Sequence, residues 1–350
     1  MVAAAELLAI PDSLAVGLLC IVLGLLCAFV LRSRKARCVV VADDFGISLE
    51  RSRGILLALK GGVVTCTSVM ANGDAAIEAI EMAREHGLLH LVGLHLNLTE
   101  GRPVSDPSRV PSLLLEEGET QPGTGLKGGP LLRGKMGYRT ACASGVIRAE
   151  DAAEEARAQL RWFEKHVGRM PHFVDGHQHC HVVPAVRKQL ASAFAAAGVR
   201  RTRIPTERKP PMTLCPLCSM VDLEAEQARA TFSAYGISSC DGFVGLSLCG
   251  VDYTPDQLVN AVATQLRQGA RSCEVMVHPG LPDSDESADQ PAWDDFGRCL
   301  PIDRQSINPS AHSLIRGTWP RSRAADGRAV ASPPSAHCRV CPGRRRVGMS

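Results

Sequence analysis

Seven short apolar runs, separated by stretches with helical spacing, constrain this chain more than any other feature. Cys38–Ala42, Val63–Met70, Leu91–Leu98, His172–Asp175, Val199–Ile204, Phe243–Leu248 and Glu274–Val277 have the length and composition of strands. Helices are predicted between them: Leu49–Lys60 before Gly61-Gly62, a helix capped by Asp74 and running to His86, Glu150–Val167, Pro184–Ala197, Val221–Tyr235 and Pro255–Gln268. Parallel strands need crossover connections, so this alternation predicts a parallel sheet covered by helices. Seven strands in that order suit a deformed TIM-like (β/α) barrel better than a short open sheet. A length of 350 residues allows one large α/β domain, and the 45% hydrophobic content can fill its core, mainly with aliphatic side chains because aromatics are 4%.

The polar residues that stand out fall at the C-terminal ends of different strands, where such barrels place their chemistry. Asp43-Asp44 closes the first, His95 sits on the third, His177 follows the fourth and His278 follows the last. Two imidazoles and a carboxylate leave open positions on a divalent metal, and water beside such a metal becomes a nucleophile near neutral pH. The donor set suits Zn²⁺, Mn²⁺, Co²⁺ or Fe²⁺, whereas Mg²⁺ sites usually carry fewer histidines. In a fully extended strand Asp43 and Asp44 point to opposite sides, but the turn at Phe45-Gly46 can bring both into one cavity. One would then bind metal and the other would take a proton from the attacking water. His177, His179 and His181 alternate, so an extended segment would put all three on one face near Asp175. Spacing does not choose the ligand among them. His278 is a candidate for protonating a leaving amine, and Arg203 for orienting a carboxylate or holding substrate.

Charge and cysteine usage set limits. The net charge is +3, but from Arg316 onward eight Arg oppose one acid, Asp326, giving +7 (8 − 1), so residues 1–315 sum to −4 (3 − 7). That argues against a nucleic-acid-binding core. The 14 cysteines are irregularly spaced through a long chain, which fits reduced thiols in the cytosol. Cys215-x-x-Cys218 and Cys338-x-x-Cys341 lie too far apart in sequence to suggest a structural zinc site. Leu14–Leu31 is an uncharged apolar run followed by Arg32, Arg34, Lys35 and Arg37, which predicts a membrane anchor with the following chain facing the cytoplasm. The sequon Asn97-Leu98-Thr99, two residues from His95, agrees with that side. Residues 100–148 read as a long Gly/Pro-rich loop of the kind that forms a lid or substrate wall. Residues 293–350 read as a low-order Arg/Pro/Ser-rich tail.

Four motifs, each at a strand end and in the same order, resemble the YdjC-type carbohydrate deacetylases: Ala42-Asp43-Asp44-Phe45-Gly46, Gly93-Leu94-His95-Leu96-Asn97-Leu98-Thr99, Asp175-Gly176-His177-Gln178-His179-Cys180-His181 and Val277-His278-Pro279-Gly280. The resemblance spans residues 37–292. It implies a deformed TIM-like barrel, a divalent metal commonly assigned as Mg²⁺, and removal of acetyl groups from N-acetylated carbohydrates such as chitooligosaccharides. It implies Asp43 as proton acceptor, Asp44, His95 and His177 as metal ligands, and His278 as general acid. The segments 1–36 and 293–350 have no counterpart in the family pattern, which implies a barrel incomplete at its C-terminal end. Two other readings stand beside this one: a metal-dependent hydrolase of another substrate, such as a phosphoester, and a catalytically inert, membrane-anchored binding protein.

Overall fold

A computed structural model describes residues 37–62, 64–208, 210, 214–248, 255–281 and 300–301. The apolar run Leu14–Leu31, the basic cluster before Arg37, Cys338-x-x-Cys341 and all of the 293–350 tail except Leu300–Pro301 lie outside these residues. No helix among the described residues is long and apolar enough to cross a membrane.

Six parallel strands form the sheet: β1 (Arg37–Phe45), β2 (Cys66–Val69), β3 (Val92–Leu96), β4 (Val174–Gly176), β5 (Gly242–Val244) and β6 (Ser272–Val277), in the order β4-β3-β2-β1-β6-β5. Their residues are almost all buried, as expected when helices cover a parallel sheet. The helices are α1 (Leu49–Lys60), α2 (Ala76–Glu85), α3 (Lys135–Ala143), α4 (Ala149–Val167), α5 (Arg187–Ala196), α6 (Pro216–Ala234) and α7 (Pro255–Arg267). One large cluster, including Phe45, Ile55, Leu94, Phe163, Phe194 and Phe232, joins the sheet to this shell. The fold is a deformed TIM-like barrel, as the alternation predicts, with six sheet strands among the described residues in place of the seven expected, and it is incomplete, as the resemblance implies.

The expected strand at Val199–Ile204 is reduced to single bridges. Thr202 pairs with Val174 of β4, and Arg201 pairs with Ser238 on the approach to β5. Backbone bonds from Val174 to Arg201 (3.1 Å) and from Thr202 to Ser238 (3.0 Å) carry this segment across the opening between the sheet edges. Pro205, which has no N–H to offer a ladder, follows immediately.

The 100–148 segment is less irregular than its composition suggests. It holds two 3₁₀ turns, Pro107–Arg109 and Pro111–Leu113, and the helix α3. Sequence patterning misses α3 because Gly137 interrupts it and its stability comes from tertiary contacts. Tyr138 donates to the Cys180 carbonyl (3.3 Å), and Arg139 pairs with Glu224 (2.7 Å). Three helix starts also differ from expectation. Helix α2 begins at Ala76 without a side-chain cap, α5 begins at Arg187 rather than Pro184, and α6 begins at Pro216, capped by Cys215.

Candidate active site

The site begins with an irregularity in β1. Ala42 pairs with Thr67 and Phe45 with Val69, so β1 carries one residue more than β2 over that span. Asp44 sits at this bulge with φ +65°, a left-handed conformation costly for a non-glycine residue. A regular strand would send Asp43 and Asp44 to opposite faces; the bulge turns both carboxylates toward the same imidazole. His95 Nε2 lies 3.3 Å from Asp44 Oδ1 and 4.0 Å from Asp43 Oδ2. The turn after β1 is pinned by Ser52, whose hydroxyl accepts from the Gly46 N–H (2.9 Å) and donates to the Ser48 carbonyl (2.7 Å). Ser48 in turn caps α1.

His177 enters from the turn after β4. Its Nδ1 lies 3.1 Å from Asp44 Oδ1, the same oxygen that faces His95. Asp44, His95 and His177 therefore offer three buried donor atoms, all within 4.8 Å of one another. The other ring nitrogen of each histidine meets a carboxylate behind it: His95 Nδ1 to Asp175 (2.7 Å) and His177 Nε2 to Glu100 (2.9 Å). Such bonds place the ring proton on the far nitrogen, so a neutral ring turns its lone pair toward Asp44. This is the arrangement a resident divalent cation requires, and the residues fit one.

The electrostatics agree. Burial alone would make the His95 ring less basic, but Asp175 and Asp43 reverse this and push it up to about 9. His177 is likewise raised well above the usual imidazole value against its burial, by Asp44 and Glu100. Burial would raise Asp44, yet its bonds to His177 and His95 hold it well below the ordinary carboxylate range. The cluster thus favours positive charge at its centre, whether a proton or a metal, and the two compete.

His278 lines the same cavity, with Nε2 3.9 Å from Asp44 Oδ2. Its approach depends on Gly54 of α1, where a Cβ would lie 2.6 Å from the Gly280 backbone. Arg203 is fully buried. It grips Asp43 through two N–H groups (2.5 and 2.7 Å), Asp175 (3.0 Å) and Glu274 (2.5 Å). A second donor group, Asp43, His95 and Asp175, is therefore already engaged by the guanidinium, which opposes a two-metal site.

The three neighbouring histidines do not share a face. Gln178 and His179 adopt left-handed backbone angles (φ 50° and 56°) inside a 3₁₀ turn, His177–Val182, so the extended geometry expected from their spacing is absent. His177 joins the cluster. His179 lines the cavity edge-on to Phe243, and burial together with Arg203 keeps it well below the usual imidazole value. His181 lies beneath the site and donates to the Arg203 carbonyl (2.8 Å).

The sequence-level candidates Asp43, Asp44, His95, His177 and His278 meet in one place, with Arg203 behind Asp43. Sequence reasoning passed over Glu100, Arg51, Ser68 and Glu274. Arg51 reaches Asp44 Oδ2 (3.1 Å), and Ser68 donates to Asp175 (3.0 Å). Glu100 follows the second motif directly, and no local signal marks it as a partner of a residue 77 positions later.

The YdjC-like protein family matches residues 37–324. A carbohydrate deacetylase of Mus musculus is 40% identical over 262 residues, covering 71% of this chain and 79% of that protein. Its Homo sapiens counterpart is 39% identical, and a chitooligosaccharide deacetylase of Serratia marcescens is 30% identical over 70% of this chain and 82% of the bacterial protein. In fold, the chain resembles an Enterococcus faecalis crystal structure described as a candidate cellobiose-phosphate cleavage protein, with a TM-score of 0.53, 21% identity and coverage of 71% of this chain and 82% of the other.

Proposed function

The chain belongs to the YdjC-like family, and from that premise we propose that it is a metal-dependent hydrolase removing acetyl groups from N-acetylated carbohydrates such as chitooligosaccharides. One observation carries the reading beyond family membership. Two imidazoles, each turned by a carboxylate behind it, aim their remaining nitrogens at the buried Asp44, and both line a cavity that also holds Asp43 and His278.

On this reading Asp44, His95 and His177 hold the cation. Resemblance suggests Mg²⁺, while the donor set favours Zn²⁺ or Mn²⁺. When bound, the cation polarises the acetamide carbonyl and lowers the pKa of a neighbouring water. Asp43 takes the proton from that water as it adds to the carbonyl carbon. Arg203 fixes the Asp43 carboxylate through both oxygens, so its orientation costs nothing further when substrate arrives. The C–N bond then breaks, and His278 supplies the proton that lets the sugar nitrogen leave as an amine, with acetate as the other product. Leu217, Val221, Leu246 and Met276 form an apolar wall to the cavity, suited to the acetyl methyl group.

The same reading keeps the site on the cytosolic side of any membrane contact made by residues 14–31. The Asn97 side-chain amide is buried and donates to Asn72 (3.1 Å) and to the Glu100 carbonyl (2.8 Å), so a glycan on that sequon is incompatible with the fold.

The test is acetate release from N-acetylated chitooligosaccharides by the full chain, metal-stripped and then refilled with Mg²⁺, Mn²⁺ or Zn²⁺. Release should require metal, and Asp43→Asn should lower kcat by about 10²–10⁴-fold while still binding metal. Soluble, metal-loaded protein that releases no acetate would overturn the substrate assignment. Full activity in Asp43→Asn would overturn the base.

A further inference from the structure

The mechanism leaves unused two cysteines at the start of α6. Cys215 is the N-cap and Cys218 lies in the first turn, and their sulfurs are 3.0 Å apart. Both are free thiols. The i, i+3 spacing on a helical turn brings the two side chains together, and it leaves their sulfurs about 1 Å beyond bonding distance. The two environments differ. Cys215 is partly exposed and its Sγ accepts from the Cys218 N–H (3.2 Å). Cys218 is buried, packed with Val221, Phe243, Leu246 and Met276, and lines the cavity that holds Asp43 and His95.

We propose that Cys215 and Cys218 form a thiol–disulfide exchange site that takes a small disulfide such as oxidised glutathione. The Cys215 thiolate attacks one sulfur of the incoming disulfide, forming a mixed disulfide and expelling one thiolate. Cys218 attacks the Cys215 sulfur and its proton passes to the departing sulfur, so the second thiol leaves and an internal disulfide closes. In balance, two protein thiols are oxidised and one external disulfide becomes two thiols. The asymmetry of the pair supports these roles. Hydrogen bonds from Cys218 and from backbone N–H groups hold Cys215 below the usual thiol value against the opposing effect of burial, which favours its thiolate. Burial pushes Cys218 up to about 12, so it stays a thiol until its partner is modified. Cys38, Cys142, Cys180, Cys240 and Cys273 are all raised by burial, which disfavours them as the attacking group. Because Leu217 and Cys218 both line the cavity, the bond would form in the wall of the catalytic site.

The experiment treats the reduced full-length chain with oxidised glutathione, quenches with an alkylating agent and maps the peptides by mass. It is independent of any turnover assay, so its outcome does not depend on the proposed deacetylase activity. The unaltered chain should yield a 215–218 disulfide. Cys218→Ser should stop at glutathione on Cys215, and Cys215→Ser should slow oxidation of Cys218 by at least about tenfold, because a buried thiol is a poor nucleophile at neutral pH. Glutathione accumulating on other cysteines while 215 and 218 stay alkylatable would overturn the proposal. So would Cys218 oxidising equally fast in Cys215→Ser.

Discussion

Glu100→Gln separates a positioning carboxylate from a merely buried one. Glu100 is 2% exposed. One of its oxygens accepts from His177 Nε2 at 2.9 Å and the other from Gln178 Nε2 at 2.7 Å. Glutamine keeps the volume and one acceptor, so the cavity stays filled, but it removes the negative charge that raises the basicity of His177. It also offers an amide donor that can turn the ring to the wrong tautomer, with a proton facing Asp44 where the cation should sit. Losses on removing such outer partners run to about 10–100-fold in metal affinity, or about 1.4–2.7 kcal/mol. The assay is competition for Zn²⁺ or Mn²⁺ against a chromogenic chelator, with circular dichroism confirming an intact fold. His177→Ala, which deletes the donor itself, sets the upper limit of the loss. A folded Glu100→Gln protein with the parent's metal Kd would refute the idea that this carboxylate orients the ligand.

Other expectations follow from the same geometry. Arg203→Met removes the cation shared by Asp43, Asp175 and Glu274 and leaves buried carboxylates uncompensated; a loss of about 3–5 kcal/mol in urea unfolding is expected, and unchanged stability would refute it. Gly176→Ala sets a Cβ 2.3 Å from His181 Nδ1, a clash with a ring pinned on its other side, and should cost about 1–3 kcal/mol; a neutral effect on the melting temperature would contradict this packing. In metal-free protein the raised His95 value has a definite sign. Its folded pKa, about 9, lies above the unfolded value near 6.5, so its stabilisation is full below about 6.5 and is lost as pH rises through 9. Urea midpoints with chelator present should therefore fall between pH 6 and pH 9.5, and His95→Gln should flatten that slope.

How much of this was legible in the sequence differs from residue to residue. The parallel α/β architecture follows from alternation alone, because short buried strands in parallel need crossover helices. The positions of Asp43, Asp44, His95, His177 and His278 at strand ends were equally visible, since a barrel delivers the C-terminal ends of its strands to one face. Which of His177, His179 and His181 enters the cluster was not. Their spacing predicts a shared face, and the left-handed turn at Gln178 and His179 separates them. Nor could the sequence show that Asp43 and Asp44 face one imidazole, since that depends on a bulge set by pairing with β2. The strand expected at Val199–Ile204 had the right composition but holds its neighbours only through single bridges. Glu100 and Asp175 gained their roles from tertiary contacts alone, whereas Arg203 was already a candidate for orienting a carboxylate and the fold selected Asp43 as that carboxylate. Local chemistry determined which residues could act, because residue type and strand position are encoded nearby in the chain. Tertiary structure decided which of them meet, because each carboxylate behind a histidine comes from a segment 77 or 80 residues distant, and only the folded sheet brings the two within hydrogen-bond reach.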